Sequence, residues 1–263
     1  MQYEERFGKE LLVQERPGKI NIWVLLGILM FSALGIFALI GFFVVLRTPE
    51  YGVVEMAGAL IVGVGGFAAA AFLYRLLLGY RKQKKAALYE RGFVRTVGTE
   101  TTEIDFRALK GMQDLTTLQS AGNIRVTVRL LTMLRKDNTK VVLGQFDVPA
   151  YTELFNALSD VYTDYLLEGI SSENLDRAAI FFGDKLELSG GQLIHRHGEG
   201  SGWTGIALDR VYGLDPARPD GNSSLRIMGV DYSDGKREIL AQIPFKDLFN
   251  IDALYRIVQI RPQ

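Results

Sequence analysis

Two long apolar runs near the N-terminus constrain this chain more than any other feature of its sequence. Ile20–Leu46 contains no charged residue, and Val53–Leu78 contains only Glu55 near its start and Arg75 near its end. Each run exceeds the roughly 20 apolar residues that an α-helix needs to cross the hydrocarbon core of a bilayer. The sequence therefore predicts a transmembrane helical hairpin over residues 20–80.

The residues around this hairpin predict its orientation. The break between the two runs is short and contains Pro49 and Gly52, so the two helices must be antiparallel. The break has only Arg47 as a basic residue, whereas a basic cluster follows the second run: Arg81, Lys82, Lys84 and Lys85. Loops rich in Lys and Arg stay on the cytoplasmic side. We therefore expect a multi-pass protein of the cell inner membrane with both termini in the cytoplasm.

The same basic cluster has a second interpretation, because juxtamembrane Lys and Arg residues also attract anionic lipid head groups. Residues 1–19, which precede the first run, are polar and carry balanced charges. They are predicted to form a cytoplasmic N-terminal segment, either a loose tail or a short interfacial helix.

Small residues are frequent in the second apolar run. Four of them have the four-residue spacing that allows helix backbones to approach closely: Ala59 with Gly63, and Gly66 with Ala70. They could pack against the first helix of this chain or against a helix of another membrane protein, and the sequence leaves both open.

Glu55 is the one carboxylate within the apolar runs. An ionisable group at membrane depth is a functional candidate. Because Glu55 lies within one helical turn of the polar break, it could equally be a solvated residue at the interface. The functional interpretation is a proton or ion role.

The rest of the chain has the pattern of antiparallel β-structure. In Ile124–Leu130, apolar residues alternate with Arg and Thr residues, which predicts a half-buried strand. Short turn signals such as Asp137-Asn138 recur along this part of the chain. One amphipathic helix is predicted between Tyr151 and Tyr165, because its apolar residues repeat at intervals of three and four.

Three segments of this β-rich part occur twice in the same order. Ile104–Met112 resembles Ile206–Leu214, and Asp137–Phe146 resembles Asp234–Ile243. A weaker match relates residues 88–94 to residues 188–194. Each copy ends in a segment with helical periodicity. The sequence therefore predicts two similar domains, residues 87–169 and residues 172–263.

A helical hairpin followed by Leu88-Tyr89-Glu90-Arg91-Gly92-Phe93-Val94-Arg95 and then Ile104–Gly111 resembles bacterial membrane proteins with pleckstrin-homology-like domains. The resemblance implies two mainly antiparallel β domains, each closed by a C-terminal helix. It implies a binding or scaffolding role and brings no catalytic residue. An ordinary antiparallel β-sandwich is the alternative fold.

Composition and motifs exclude or disfavour several classes of function. Thirty basic and thirty acidic residues cancel, which argues against a nucleic-acid partner, and the absence of cysteine excludes disulfides and thiolate chemistry. His195 and His197 could approach a metal from one strand face, but no third ligand accompanies them. We therefore predict no catalytic residue, no cofactor and no metal.

The expected function is that of a non-enzymatic, membrane-anchored binding or scaffold protein, an accessory subunit of a larger membrane assembly. Its expected partners are membrane lipid and other membrane protein subunits. One alternative is a sensor of anionic lipid or phosphate head groups through Arg125 and Arg129, which share a strand face. Another alternative is a small proton-linked transport component that uses Glu55.

Overall fold

The computed structural model describes residues 2–16, 22–47, 53–121, 124–145, 147–196, 202–217, 223–230 and 236–260. Within these ranges, only the backbone is described for residues 2, 76, 79–81, 117–121, 124–126 and 217.

Two long helices form the predicted pair. Helix α2 (Ile22–Arg47) and helix α3 (Val53–Arg81) are both long and apolar enough to cross a membrane. They are antiparallel, since Gly27 of α2 lies near Leu73 of α3 while Gly63 of α3 lies near Leu39 of α2. The side chains on their outer faces are exposed and apolar, as expected for helices surrounded by hydrocarbon.

The segment before the helices is folded, in contrast to the loose tail that was one of the two expectations. Residues Gln2–Phe7 form helix α1, and Glu10–Arg16 form strand β1. The Phe7 side chain is fully buried and packs near Tyr89, with 6.1 Å between the ring centroids. The backbone N–H groups of Glu90 and Arg91 donate to the carbonyls of Lys9 and Phe7, at 3.1 and 2.9 Å.

Strand β1 belongs to a four-stranded sheet whose other members follow the helices. Its order is β1-β2-β3-β4. The added strands are β2 (Lys84–Tyr89), β3 (Gly92–Val97) and β4 (Glu100–Asp105). A 3₁₀ turn, Phe106–Ala108, leads into a three-stranded antiparallel sheet, which helix α4 follows. These elements are β5 (Leu109–Ala121), β6 (Ile124–Arg135), β7 (Lys140–Gly144) and α4 (Tyr151–Leu166).

The second half of the chain has the same order of elements. A four-stranded antiparallel sheet has the order β11-β10-β9-β8, and a three-stranded antiparallel sheet has the order β12-β13-β14. The strands of the first are β8 (Ile180–Phe181), β9 (Leu186–Ser189), β10 (Gln192–Arg196) and β11 (Trp203–Ala207). The remaining elements are β12 (Val211–Ala217), β13 (Ser224–Val230), β14 (Arg237–Pro244) and α5 (Ile251–Ile260).

Comparison of the two halves shows where the helix pair enters the fold. Strand β8 is the edge strand beside β9, as β1 is the edge strand beside β2. In the second half, only residues 182–185 separate these two strands, whereas α2 and α3 separate them in the first half. The helix pair is therefore an insertion between the first and second strands of the first repeat.

Each repeat has its own apolar core. In the first, Leu154, Phe155, Leu158 and Tyr162 of α4 are buried against the sheets, and the Tyr162 ring lies 5.3 Å from the ring of Phe106. In the second, Leu254 and Ile257 of α5 are buried among strand residues. The three-and-four spacing of apolar residues gives both helices one buried face.

The chain divides into two compact units. Met1–Gln14, Ala86–Arg95 and Thr101–Gln263 form the first, and Glu15–Lys85 with Thr96–Glu100 form the second. The second repeat lies in the first unit, together with all of the first repeat except the ends of β1 to β4. From the sequence, residues 1–19 were predicted to be separate from the β domain. Two long apolar runs lie between β1 and the next strand, so no continuous strand pattern connects them.

The coarse prediction is confirmed: two long apolar helices are followed by antiparallel sheets and a C-terminal helix. The strand predicted at Ile124–Leu130 lies in β6, and the helix predicted at Tyr151–Tyr165 is α4. The predicted break at residues 48–52 lies outside the described residues.

We predict that Phe7→Ala destabilises the protein by about 3–5 kcal/mol, because it removes a fully buried ring and leaves a cavity. The matched change Leu11→Ala, on an exposed part of β1, should cost much less. Denaturant unfolding of both variants in detergent measures the difference. Equal stability of the Phe7→Ala and wild-type proteins would contradict a folded N-terminal segment.

Candidate functional site

The small residues singled out in α3 form the face that packs against α2. Gly63, Gly66 and Ala70 are buried, and Ala59 is half-buried. A Cβ added at Gly66 would lie 2.9 Å from the carbonyl oxygen of Phe31 and 3.0 Å from the amide nitrogen of Gly35. Such close backbone approach requires glycine. This set of small residues is therefore used within the helix pair of this chain.

A second pair of glycines on α3 lies on a different face. Gly58 and Gly65 are two helical turns apart, so they share one side of the helix. Open space surrounds the position of a Cβ at each of them, and the same holds for Gly41 on α2. These positions leave backbone accessible on the outside of the helix pair.

The predicted basic cluster lies where α3 changes into β2. Arg81 is the last residue of α3, and Lys84 and Lys85 are the first two of β2. Lys82 is exposed, and Lys85 is exposed as well. Near these residues the Gln83 amide donates to the Glu15 carboxylate at the end of β1. The cluster thus borders the point where the inserted helices leave the sheet.

Glu55 lies in the first turn of α3 and is exposed. A carboxylate at a helix N-terminus is favourable because it faces the positive end of the helix dipole. This placement gives Glu55 a favourable position at the start of α3.

One of the two arginines of the predicted basic strand face, Arg129, forms hydrogen bonds to a carboxylate and an amide. The Arg129 Nε atom donates to both Asp114 oxygens at 2.9 and 3.0 Å, and its Nη2 atom donates to Asn156 at 2.6 Å. The hydrogen bond to Asp114 raises the pKa of Arg129. The guanidinium therefore already has a carboxylate partner. Arg125 pairs with Ser120 in the β5–β6 ladder, and its side chain lies outside the described residues.

Arg129 also lines a polar cavity of about 550 Å³ at the junction of the two repeats. The wall from the first repeat includes Asn156 and Ser159 of α4, and the second repeat contributes Asp252 at the start of α5. The Ser159 hydroxyl donates to the Asp252 carboxylate, so a hydrogen bond joins the two helices. Arg256 of α5 adds ion pairs to Asp160 and Asp164 of α4.

Two buried side-chain amides that also line this cavity connect the repeats by hydrogen bonds. The Gln113 Nε2 atom donates to the carbonyls of Phe245, Lys246 and Leu248 at 2.6–3.1 Å. Asn250 accepts from the amide of Met112 through Oδ1 at 2.8 Å, and its own backbone N–H donates to the Met112 carbonyl at 2.7 Å. Buried polar groups need such partners, so these bonds fix the position of one repeat against the other.

Sequence reasoning missed Gln113 and Asn250. Asn250 stands directly before the apolar periodicity of α5, which is a typical position for a helix-capping residue. It adopts a left-handed backbone conformation with φ of 54°, which Asn tolerates better than most residues. Nothing in the local sequence marks Gln113, because its three acceptors lie more than 130 residues away.

The described residues hold no group of three or more His, Cys, Asp or Glu side chains that could bind a metal ion. His195 lies on β10, and its predicted companion His197 falls outside the described residues. Comparison with known protein families and with curated proteins finds no match to this chain.

We predict that Gly66→Leu disrupts the helix pair, because the new side chain would collide with the backbone of Phe31 and Gly35. Overpacking of this kind costs about 1–3 kcal/mol. Gly65→Leu, one residue away on an open face, is the matched control and should unfold like the wild type. Thermal unfolding in detergent compares the two, and equal loss in both variants would contradict this packing.

We also predict that the Asn250 side chain stabilises the junction of the repeats. Asn250→Gly keeps the left-handed backbone but leaves the Met112 amide unpaired, at a cost of about 1–3 kcal/mol. Asn250→Ala should lose about 1 kcal/mol more, because alanine disfavours a positive φ. Urea unfolding followed by circular dichroism measures both. A wild-type midpoint for Asn250→Gly would exclude this role.

Proposed function

We propose that this protein is a non-enzymatic, membrane-anchored scaffold, with two β repeats on the cytoplasmic side of the inner membrane and a helix pair that binds another membrane subunit. The observation that carries this proposal is the apolar exterior of α2 and α3. Phe37 of α2 is 71% exposed and Ile61 of α3 is 70% exposed, and such side chains favour hydrocarbon over water.

The topology of the insertion supports a common side for both termini. Strand β1 precedes α2, and the neighbouring strand β2 follows α3. Because the two strands pair in one sheet, both outer ends of the helix pair must emerge on the same side of a bilayer. The basic residues after α3 favour the cytoplasm as that side.

The open glycines on α3 support a partner within the membrane. The set Ala59, Gly63, Gly66 and Ala70 packs against α2, whereas Gly58 and Gly65 remain accessible to a second helix. Close packing at small residues is a common basis for helix association in lipid. The partner of this proposal is therefore a helical subunit rather than lipid alone.

The β repeats are proposed to be pleckstrin-homology-like modules. Each has a four-stranded sheet, a three-stranded sheet and a helix at its C-terminal end, in the order that the resemblance implies. The resemblance implies that such modules bind partners through their surfaces. In this chain, hydrogen bonds from Gln113 and Asn250 connect the two repeats. Two connected repeats present one continuous surface to a partner.

A labelling experiment tests the proposed orientation. The chain has no cysteine, so single-cysteine variants carry no background. We expect a membrane-impermeant maleimide to label Thr48→Cys in spheroplasts, and to label Glu173→Cys only after lysis. The reverse pattern would reject cytoplasmic repeats.

Isolation from the native membrane in mild detergent tests the proposed partner. We expect the wild-type chain to co-migrate with a second membrane protein and Gly65→Leu to lose it while keeping its fold. The matched variant Gly41→Leu changes an open position on α2. If it keeps the partner while Gly65→Leu loses it, the partner binds at the α3 face. Migration of the wild type without a companion would refute the scaffold role.

A further inference from the structure

A second cleft at the junction of the repeats is lined by basic side chains. It has a volume of about 440 Å³ and lies between the start of β5, the end of α4 and strand β8. Arg107, Lys110 and Lys136 line it, and Glu168 is the one acidic residue in its described lining. With Asp105, which pairs with Arg107 beside the cleft, three positive charges face two negative charges and leave a net positive charge.

The described carboxylates leave most of this charge unpaired. Arg107 lies 3.3 Å from Asp105, and both ends of this ion pair belong to the turn that starts the cleft. Among the described residues, no carboxylate lies within 4.0 Å of the amino group of Lys110 or Lys136. The Lys110 amino group lies over the Phe181 ring, 4.1 Å from its centroid. An aromatic face orients a cation but leaves its N–H donors available.

Backbone hydrogen bonds bring together, without a ligand, the turns that carry two of these side chains. The Lys136 N–H donates to the Ala108 carbonyl at 2.9 Å, which ties the β6–β7 turn to the 3₁₀ turn of Arg107. The neighbouring Asp137 accepts from the backbone and hydroxyl of Thr139, and these hydrogen bonds lower the pKa of Asp137. That carboxylate is therefore engaged within its own turn. Fixed backbone positions for the cationic residues reduce part of the ordering cost of binding.

The rest of the cleft lining is mainly apolar and comes from both repeats. Tyr165 and Leu166 belong to α4, and Ile180 and Phe181 belong to β8. A ligand that fits this arrangement combines a compact doubly charged anion with an apolar or aromatic group. The site therefore exists only where the two repeats meet.

We infer that this cleft binds a phosphate monoester, with the phosphate between Arg107, Lys110 and Lys136 and the organic group against the apolar lining from α4 and β8. A phosphate monoester carries a charge of about −1.5 to −2 at pH 7, and the two lysines without a carboxylate partner among the described residues attract that charge. Its three oxygens accept the hydrogen bonds that Lys and Arg donate. The inference does not depend on the proposed membrane partner.

Calorimetric titration of the full-length protein in non-ionic detergent tests the site, with phenyl phosphate as the probe. We expect binding that weakens about tenfold in Lys110→Gln and about tenfold in Lys136→Gln, as loss of one charge-assisted bond implies. Lys140→Gln changes an exposed lysine on β7 outside the cleft and should bind like the wild type. Thermal unfolding confirms that each variant is folded.

Two further ligands test the charge and the source of the anion that the cleft binds. Benzoate has the same ring with a single negative charge, and we expect it to bind at least about tenfold more weakly than phenyl phosphate. Dihexanoyl phosphatidic acid carries the same phosphate on a lipid. Tighter binding of this lipid than of phenyl phosphate identifies a lipid head group as the source, and the reverse order identifies a soluble monoester.

Three outcomes would overturn the inference. They are no binding of phenyl phosphate in the millimolar range, equal binding of benzoate, and equal loss in Lys140→Gln and Lys136→Gln. Each of them leaves the scaffold proposal untouched, because that proposal is read from membrane orientation and co-migration.

Discussion

The pairing of β1 with β2 is the interaction on which the rest of this structure depends. These strands are neighbours in space but are separated in sequence by both long helices. Closing a loop of that length costs entropy, and the sheet hydrogen bonds and the buried Phe7 ring offset it. The pairing makes the helix pair an insertion within the first repeat.

The repeat junction uses polar groups where a single domain would use an apolar core. The buried amides satisfy backbone groups of the other repeat, and each lost partner would leave an unpaired buried group. On one side of the junction, Arg129 is neutralised by Asp114, and the other charged residues that line the cavity, Asp160 and Asp252, are acidic. On the other side, Lys110 and Lys136 keep their charge available. The same interface thus joins the repeats on one side and presents an anion-binding surface on the other.

The sequence by itself determined the helix pair, the strand pattern of β6, helix α4 and the internal repeat, because each is a local periodicity of apolar residues. It also predicted the small-residue set of α3, although α2 as its packing partner was decided by the antiparallel fold. Only the tertiary structure decided the role of residues 2–16, the pairing of Arg129 and the contacts of Asn250. All three depend on partners far apart in the chain, and a local pattern carries no information about which distant group will lie opposite.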